Sequence, residues 1–260
     1  MAILGWRPVY WVFAAVGLVW AAIWSWWYRN SPRDHGSVGG DELALIQGGL
    51  RTGSHATSVP WRALLRNRNV WALCAMYNGY TFGVYFYLTW LPTYLQEGRG
   101  VTVSELGYYA ALPWLAASIC NLFGGWLTDR LGRNFRLRWA RRGPAMVGLL
   151  AAAFFLTIAA TAKGNAIGIS ALALSFGAAD LILAVCWATC LDIGRRHGGT
   201  VSGTMNSLGR LGGLVAPSVV GWLVDTYSSW ELPLLIQAAC YVVAAAFWLL
   251  IDAEKPLAVE

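Results

Sequence analysis

Two ionisable residues stand in stretches that otherwise hold no Asp, Glu, Lys or Arg. Asp180 lies within 164–191 and Arg210 within 198–224. A carboxylate in such a place can take up and release a proton, and a guanidinium can grip a carboxylate through two parallel hydrogen bonds. In apolar surroundings either group is costly and needs a partner or a cavity. Each stands fifteen residues from Arg195, in the turn between the two stretches. At about 1.5 Å per helical residue both lie roughly 22 Å from that turn, level with each other on adjacent antiparallel helices. The spacing predicts that they pair. The pair is either a permanent bridge between helices or a working site, with Arg210 binding a substrate carboxylate and Asp180 carrying a proton.

Other polar side chains fall on the same helices at helical spacing. Gly199, Gly203, Asn206, Arg210, Gly213, Pro217 and Gly221 share one narrow face, from which only Asn206 and Arg210 project. Small residues allow close helix approach or leave room for a ligand. Asn78, Thr81, Tyr85 and Thr89 form a second polar face within 69–96. They can bond a ligand's hydroxyl or carboxylate, or bind one helix to the next. Trp187 shares the face of Asp180 and either stacks on a substrate or fills the interior. Asn121 reads as a helix-to-helix hydrogen bond.

These residues are held by elements that composition defines. The chain has 260 residues, 57% hydrophobic and only 12% charged, where soluble domains carry about a quarter charged. Uncharged or once-interrupted runs cover 9–28, 69–96, 106–128, 143–162, 164–191, 198–224 and 232–251. About 20 residues span a bilayer as helix, and these runs are too long for barrel strands. The expectation is an all-α membrane bundle of seven transmembrane helices. Of nineteen Lys and Arg residues, fifteen fall in alternate loops and the tail, three on the other side, and Arg210 between. Positive loops stay in the cytoplasm, which predicts an outside N-terminus and a cytoplasmic C-terminus. Such a topology predicts that the sequence begins mid-protein. Residues 1–28 are then the last helix of an N-terminal bundle, 29–68 a cytoplasmic linker with a short helix near 42–50, 69–252 a six-helix bundle, and 253–260 a tail. The five cysteines all lie in apolar runs and are expected as free thiols.

Gly125, Trp126, Leu127, Thr128, Asp129, Arg130, Leu131, Gly132 and Arg133 close the third run. They predict a tight cytoplasmic turn in which Asp129 pairs with Arg130, Arg133 or a neighbouring helix end and latches two bundles. A weaker echo, Gly221 to Asp225, closes the sixth run, as inverted repeats would. The first motif resembles the signature loop of the major facilitator superfamily. Tyr85 to Leu95, Asp192–Ile193, Ser202 to Asn206, Gly212–Gly213, Pro217 and the Ser31 to His35 exit resemble its anion:cation symporter family, as family helices six to twelve. That resemblance implies transport of organic anions, sugar acids first, by proton- or sodium-coupled symport with alternating access. It adds support for substrate contacts at Tyr85 and Asn206 and for gating by Gly125, Asp129, Arg130, Gly132 and Arg133. Asn78, Trp187 and Arg210 as substrate contacts and Asp180 for proton coupling rest on the helix faces and charges above. The family usually has a neutral residue where Arg210 stands, so Arg210 is expected as a subgroup feature. It places the chain in the plasma (inner) membrane, paired with a missing N-terminal half.

Other classes fit less well. No nucleophile–base pair, metal-ligand spacing or phosphate loop is present, so neither an enzyme, a metal nor a cofactor is expected, and no nucleic-acid partner. A retinal protein needs a lysine within its last helix, but the only lysines are Lys163 and Lys255. A truncated, inactive half-transporter and, further off, a seven-helix receptor are the alternatives.

Overall fold

A computed structural model of the chain describes residues 7–49 and 61–257, in two units, Met1–Thr57 and Ser58–Glu260. In the first unit, helix α1 (Arg7–Trp27) is apolar on every face, and none of its residues is buried. Such a helix demands a non-aqueous surrounding. Arg29 closes it by donating to the carbonyls of Trp26 and Tyr28 at 3.0 and 2.8 Å, a favourable place for a cation. Helix α2 (Gly40–Gly49) matches the short helix expected near 42–50. Residues 50–60 of the expected linker lie outside the described residues.

The second unit begins with α3 (Trp61–Arg66) and α4 (Arg68–Thr89). The Asn67 side chain accepts from the backbone N–H groups of Asn69 and Val70 and so starts α4. Pro92 cannot donate to the preceding turn, and α4 ends just before it, at Trp90. The chain continues as α5 (Leu91–Thr93) and a π turn, Tyr94–Gly98. Helices α6 (Val103–Asn134) and α7 (Leu137–Thr161) follow. Arg99 caps α7 from outside: it donates to the carbonyls of Ala162, at 2.7 Å, and Ala159. This cation is thereby a helix stop.

Five stretches are long and apolar enough to cross a bilayer: Arg7–Trp27, Val103–Asn134, Leu137–Thr161, Asn165–Tyr227 and Glu231–Leu250. The fourth, with 63 residues, would be about three bilayers long if straight. It doubles back instead. Helices α8 (Asn165–Asp180) and α9 (Ile182–Gly194) run one way, a 3-10 turn at Arg195–His197 reverses the chain, and α10 (Gly198–Gly209) and α11 (Leu211–Tyr227) return. The Cys190 and Met205 sulfurs meet at 3.4 Å across that hairpin. Helix α4, with 22 residues, is long enough to span but is not among the five. Helix α12 (Glu231–Phe247) ends the bundle.

Helix α7 packs on α8 and α12, α4 on α10, α11 and α12, and α6 on α8. Lipid is as apolar as the side chains, so these contacts rest on close packing and interhelical hydrogen bonds. Gly148 lies against the Ala178 carbonyl, Ser175 donates to Ala152 O at 2.8 Å, and Tyr87 donates to Leu172 O at 3.0 Å. All five cysteines are free. The tail is clamped to the start of α4: Asn69 donates to the carbonyls of Asp252 and Lys255 and accepts from the Asp252 amide. Nearby, Arg136 meets Glu254 at 2.8 Å, and this hydrogen bond holds the Glu254 carboxyl below the ordinary 4.5.

Candidate functional site

Both passes of this hairpin are interrupted for one residue, the first at Leu181, next to Asp180, and the second at Arg210 itself. Asp180 ends α8 at Leu181, and Arg210 separates α10 from α11. Discontinuous helices at depth are where transporters build binding sites.

Asp180 is fully engaged. Its Oδ1 accepts from the Tyr80 hydroxyl of α4 at 2.5 Å, and its Oδ2 accepts from Asn121 Nδ2 of α6 at 3.1 Å. The carboxylate thus joins three helices. It borders a cavity of about 360 Å³ that Trp114, Ser118, Asn121, Leu122 and Phe176 also line. Gly124 of α6 makes the approach possible, because a Cβ there would stand 2.4 Å from the Leu181 carbonyl at the interruption. Asn121 is therefore the helix-to-helix hydrogen bond expected of it. Tyr80 was not singled out by spacing. The signal that identifies it is depth: Asp180 needs donors at its own level, and Tyr80 stands beside the polar pair Asn78 and Thr81.

Arg210 is placed differently. It is exposed, and Nε donates to Asn206 Oδ1, one turn earlier, at 2.9 Å. Helix α4 serves the carbonyls beside it: Thr81 donates to Gly209 O at 2.7 Å and Asn78 Nδ2 to Leu208 O at 3.4 Å. Gly212 lies against the Asn78 carbonyl and Gly213 against the Tyr85 ring, so close that a Cβ would stand 2.2 and 2.3 Å away. The predicted small-residue face is therefore divided. Gly199 and Gly203 look onto open space, while Gly213 and Gly221 are packed on Tyr85 and Trp90.

The expected Asp180–Arg210 pair does not form. Among the described residues no ion pair joins them, and each has other partners. The reason is lateral. Helix α4 stands between: α10 and α11 pack on it, whereas α8 packs on α6 and α7. On α4, Tyr80 bonds Asp180 and the Tyr77 ring packs on Gly209 next to Arg210, with the two ring centroids 5.4 Å apart. Asn206, Arg210, Asn78 and Tyr85 are gathered around the second interruption, and Asp180 lies around the first. Trp187, on α9, is 40% exposed and joins neither hydrogen-bonded group.

The motif at the end of α6 differs from the expected tight turn. The helix runs unbroken to Asn134, so Gly125, Asp129, Arg130, Gly132 and Arg133 are all helical. Gly125 makes only ordinary contact and Gly132 faces open space; the close approach belongs to Gly124. Asp129 pairs with a neighbouring helix end, at 3.8 Å from Arg141 of α7. Arg141 is buried, and it also meets Asp192 of α9 at 2.8 Å and donates to Thr128 at 2.9 Å. Arg130 and Arg133 are exposed and in no ion pair among the described residues. Arg141 was legible only as one loop cation among several.

An all-helical, multi-pass membrane protein with charges at helix interruptions is the class these observations define. Residues 1–217 match the Major Facilitator Superfamily, and the chain belongs to it. It is 34% identical over 97% of its length to a probable sulfoacetate transporter of Cupriavidus necator, and covers 59% of that protein. It is 28% identical over 94% of its length to a chloroplastic ascorbate transporter of Arabidopsis thaliana, covering 45% of it. To a probable L-galactonate transporter of Escherichia coli it is 25% identical over 99% of its length, covering 57%. The chain thus spans about half the length of these relatives, whose names agree with the resemblance to anion:cation symporters.

Proposed function

We propose that this chain supplies one half of the path of an organic-anion transporter, working by cation-coupled symport with alternating access. The observation that carries the reading is Arg210: an exposed guanidinium at a helix interruption, with no acidic partner among the described residues. A cation at membrane depth attracts a carboxylate or sulfonate strongly. The relatives named for sulfoacetate, ascorbate and L-galactonate support an organic anion as cargo. Asn206 orients the guanidinium, Asn78 and Tyr85 shape the wall beside it, and Trp187 offers a stacking face.

Asp180 is proposed as the coupling site, for a proton first and sodium second. Ionised, it accepts from both Tyr80 and Asn121. Protonated, it must itself donate, so at least one of those bonds rearranges and the grip of α8 on α4 and α6 changes. The Arg141 cluster with Asp129 and Asp192, together with Arg130 and Arg133, forms the gate at the inner end. In this reading 1–28 is the last helix of the other bundle, 29–68 the cytoplasmic linker, 69–252 the six-helix half and 253–260 the tail. The site lies in the plasma (inner) membrane, with the C-terminus in the cytoplasm.

The test is uptake of a labelled organic anion by the complete polypeptide in proteoliposomes. Arg210→Gln raises the half-saturation concentration by about tenfold or more, since one charge-assisted contact is worth about 1.5–3 kcal/mol. Arg210→Lys restores part of it. Asp180→Asn abolishes uptake driven by a pH gradient and keeps anion exchange. Unchanged half-saturation in Arg210→Gln overturns the assignment of that residue.

A further inference from the structure

A second polar pocket, of about 470 Å³, lies at the opposite end of α4 from Trp90, between the first turns of α4 and α7 and the end of α12. Five cations line it, Arg66, Arg68, Arg138, Arg142 and Lys255, against one acid, Asp252. Like charges brought together repel unless an anion sits among them. The protein supplies little of that anion. Lys255 reaches Asp252 only at 3.9 Å, and Arg66, Arg68, Arg138 and Arg142 are in no ion pair among the described residues. Arg138 Nε is buried with no hydrogen-bond partner among the described residues, a donor that ordinarily finds one.

The frame of the pocket is fixed in advance. Asn69 ties the Asp252 and Lys255 backbone to α4, and Arg142 donates Nε to Ile251 O at 2.6 Å, leaving its other donors for the pocket. Asn78 and Thr81, beside Arg210, lie nine and twelve residues further along α4 than Asn69. That is roughly 14–18 Å along the helix axis, so the pocket is separate from the Arg210 face. The apolar residues at its rim, Leu249 and Leu250, are exposed, as is Trp139 beside Arg138. Tryptophans and aliphatic side chains next to arginines mark the depth where headgroups meet acyl chains.

We propose that this pocket binds a phosphate group, which arginine forks recognise better than other anions. The exposed apolar rim favours the phosphate of an anionic membrane phospholipid over a soluble one. What the Arg210 face carries has no bearing on it.

The experiment is native mass spectrometry of the full chain, released from detergent micelles that contain phosphatidylglycerol or phosphatidylcholine. The wild type retains one phosphatidylglycerol in preference to phosphatidylcholine. The double variant Arg68→Gln/Arg138→Gln lowers that retention about tenfold. Arg195→Gln/Arg196→Gln, the same charge change at the exposed α9–α10 turn, leaves it in place. Should circular dichroism show the first double variant misfolded, Arg66→Gln/Lys255→Gln, both at exposed positions, gives the same reading. Equal retention of the two lipids, or equal loss in the turn variant, overturns the site. Displacement of the lipid by millimolar inorganic phosphate keeps the phosphate site and overturns the lipid as its occupant.

Discussion

The two interrupted passes are alike in depth and opposite in how they treat their charge. At Asp180 the protein provides two donors from two other helices, so the carboxylate is solvated from within. At Arg210 it provides one acceptor from the same helix, Asn206, and no acid among the described residues. A guanidinium has five N–H donors, and here only Nε is bonded among the described residues. One charge is therefore built into the packing, and the other is left facing outward. An anion that arrives at Arg210 meets a site still short of acceptors, whereas a cation that arrives at Asp180 competes with bonds already made.

The comparison breaks most readily at the glycines that allow it. Gly124 faces the Leu181 carbonyl and Gly212 the Asn78 carbonyl, and backbone gives way less than a side chain. Alanine at either position gains about 1 kcal/mol of helix propensity but forces the interface apart. Overpacking of this kind costs about 1–3 kcal/mol. Gly124→Ala and Gly212→Ala are each expected to lower the midpoint of unfolding in titrations with sodium dodecyl sulfate. Gly203→Ala, where nothing lies within 4 Å, leaves it unchanged or raises it. If Gly124→Ala alone were harmful, only the Asp180 interruption would depend on close packing.

A smaller effect separates the two charges directly. Tyr80→Phe removes one donor to a part-buried carboxylate, at a cost of about 1–2 kcal/mol. In a double-mutant cycle with Asp180→Ala, most of that cost disappears, because without the carboxylate Tyr80 has no such bond to lose. The same cycle between Tyr80→Phe and Arg210→Ala shows little coupling. Strong coupling in the second cycle would mean that Tyr77 and Tyr80 transmit the charge across α4 and that the two sites act as one.

The bundle and the depth of both charges were legible in the sequence, because uncharged runs and residue rise measure distance along a helix axis. Which helix stands beside which was not legible. Periodicity assigns a face to Asp180 and Arg210 but not the neighbour that face meets, and α4 took the place each had been assigned for the other. The motif from Gly125 to Arg133 shows the same limit. Its glycines suggested a turn, yet α6 continues through them, since Gly costs only about 1 kcal/mol in a helix interior and tertiary contacts at Asp129 and Gly124 outweigh it. Arg141 lay in a cluster of six arginines, and only packing distinguishes the one that is buried between Asp129 and Asp192.

The smallest expected change in stability sharpens the comparison furthest. Asn206→Ala removes the single bond that Arg210 makes within the protein. The guanidinium stays exposed, so the cost is that of one i,i+4 side-chain contact, about 0.5 kcal/mol. Its orientation toward an arriving anion is lost, however, and the half-saturation concentration of the complete polypeptide is expected to rise about threefold, the equivalent of a little under 1 kcal/mol. A variant that changes binding more than folding is what an outward-facing charge requires. If Asn206→Ala instead destabilised the chain as much as Tyr80→Phe and left half-saturation unchanged, Arg210 would be as fully built into the packing as Asp180.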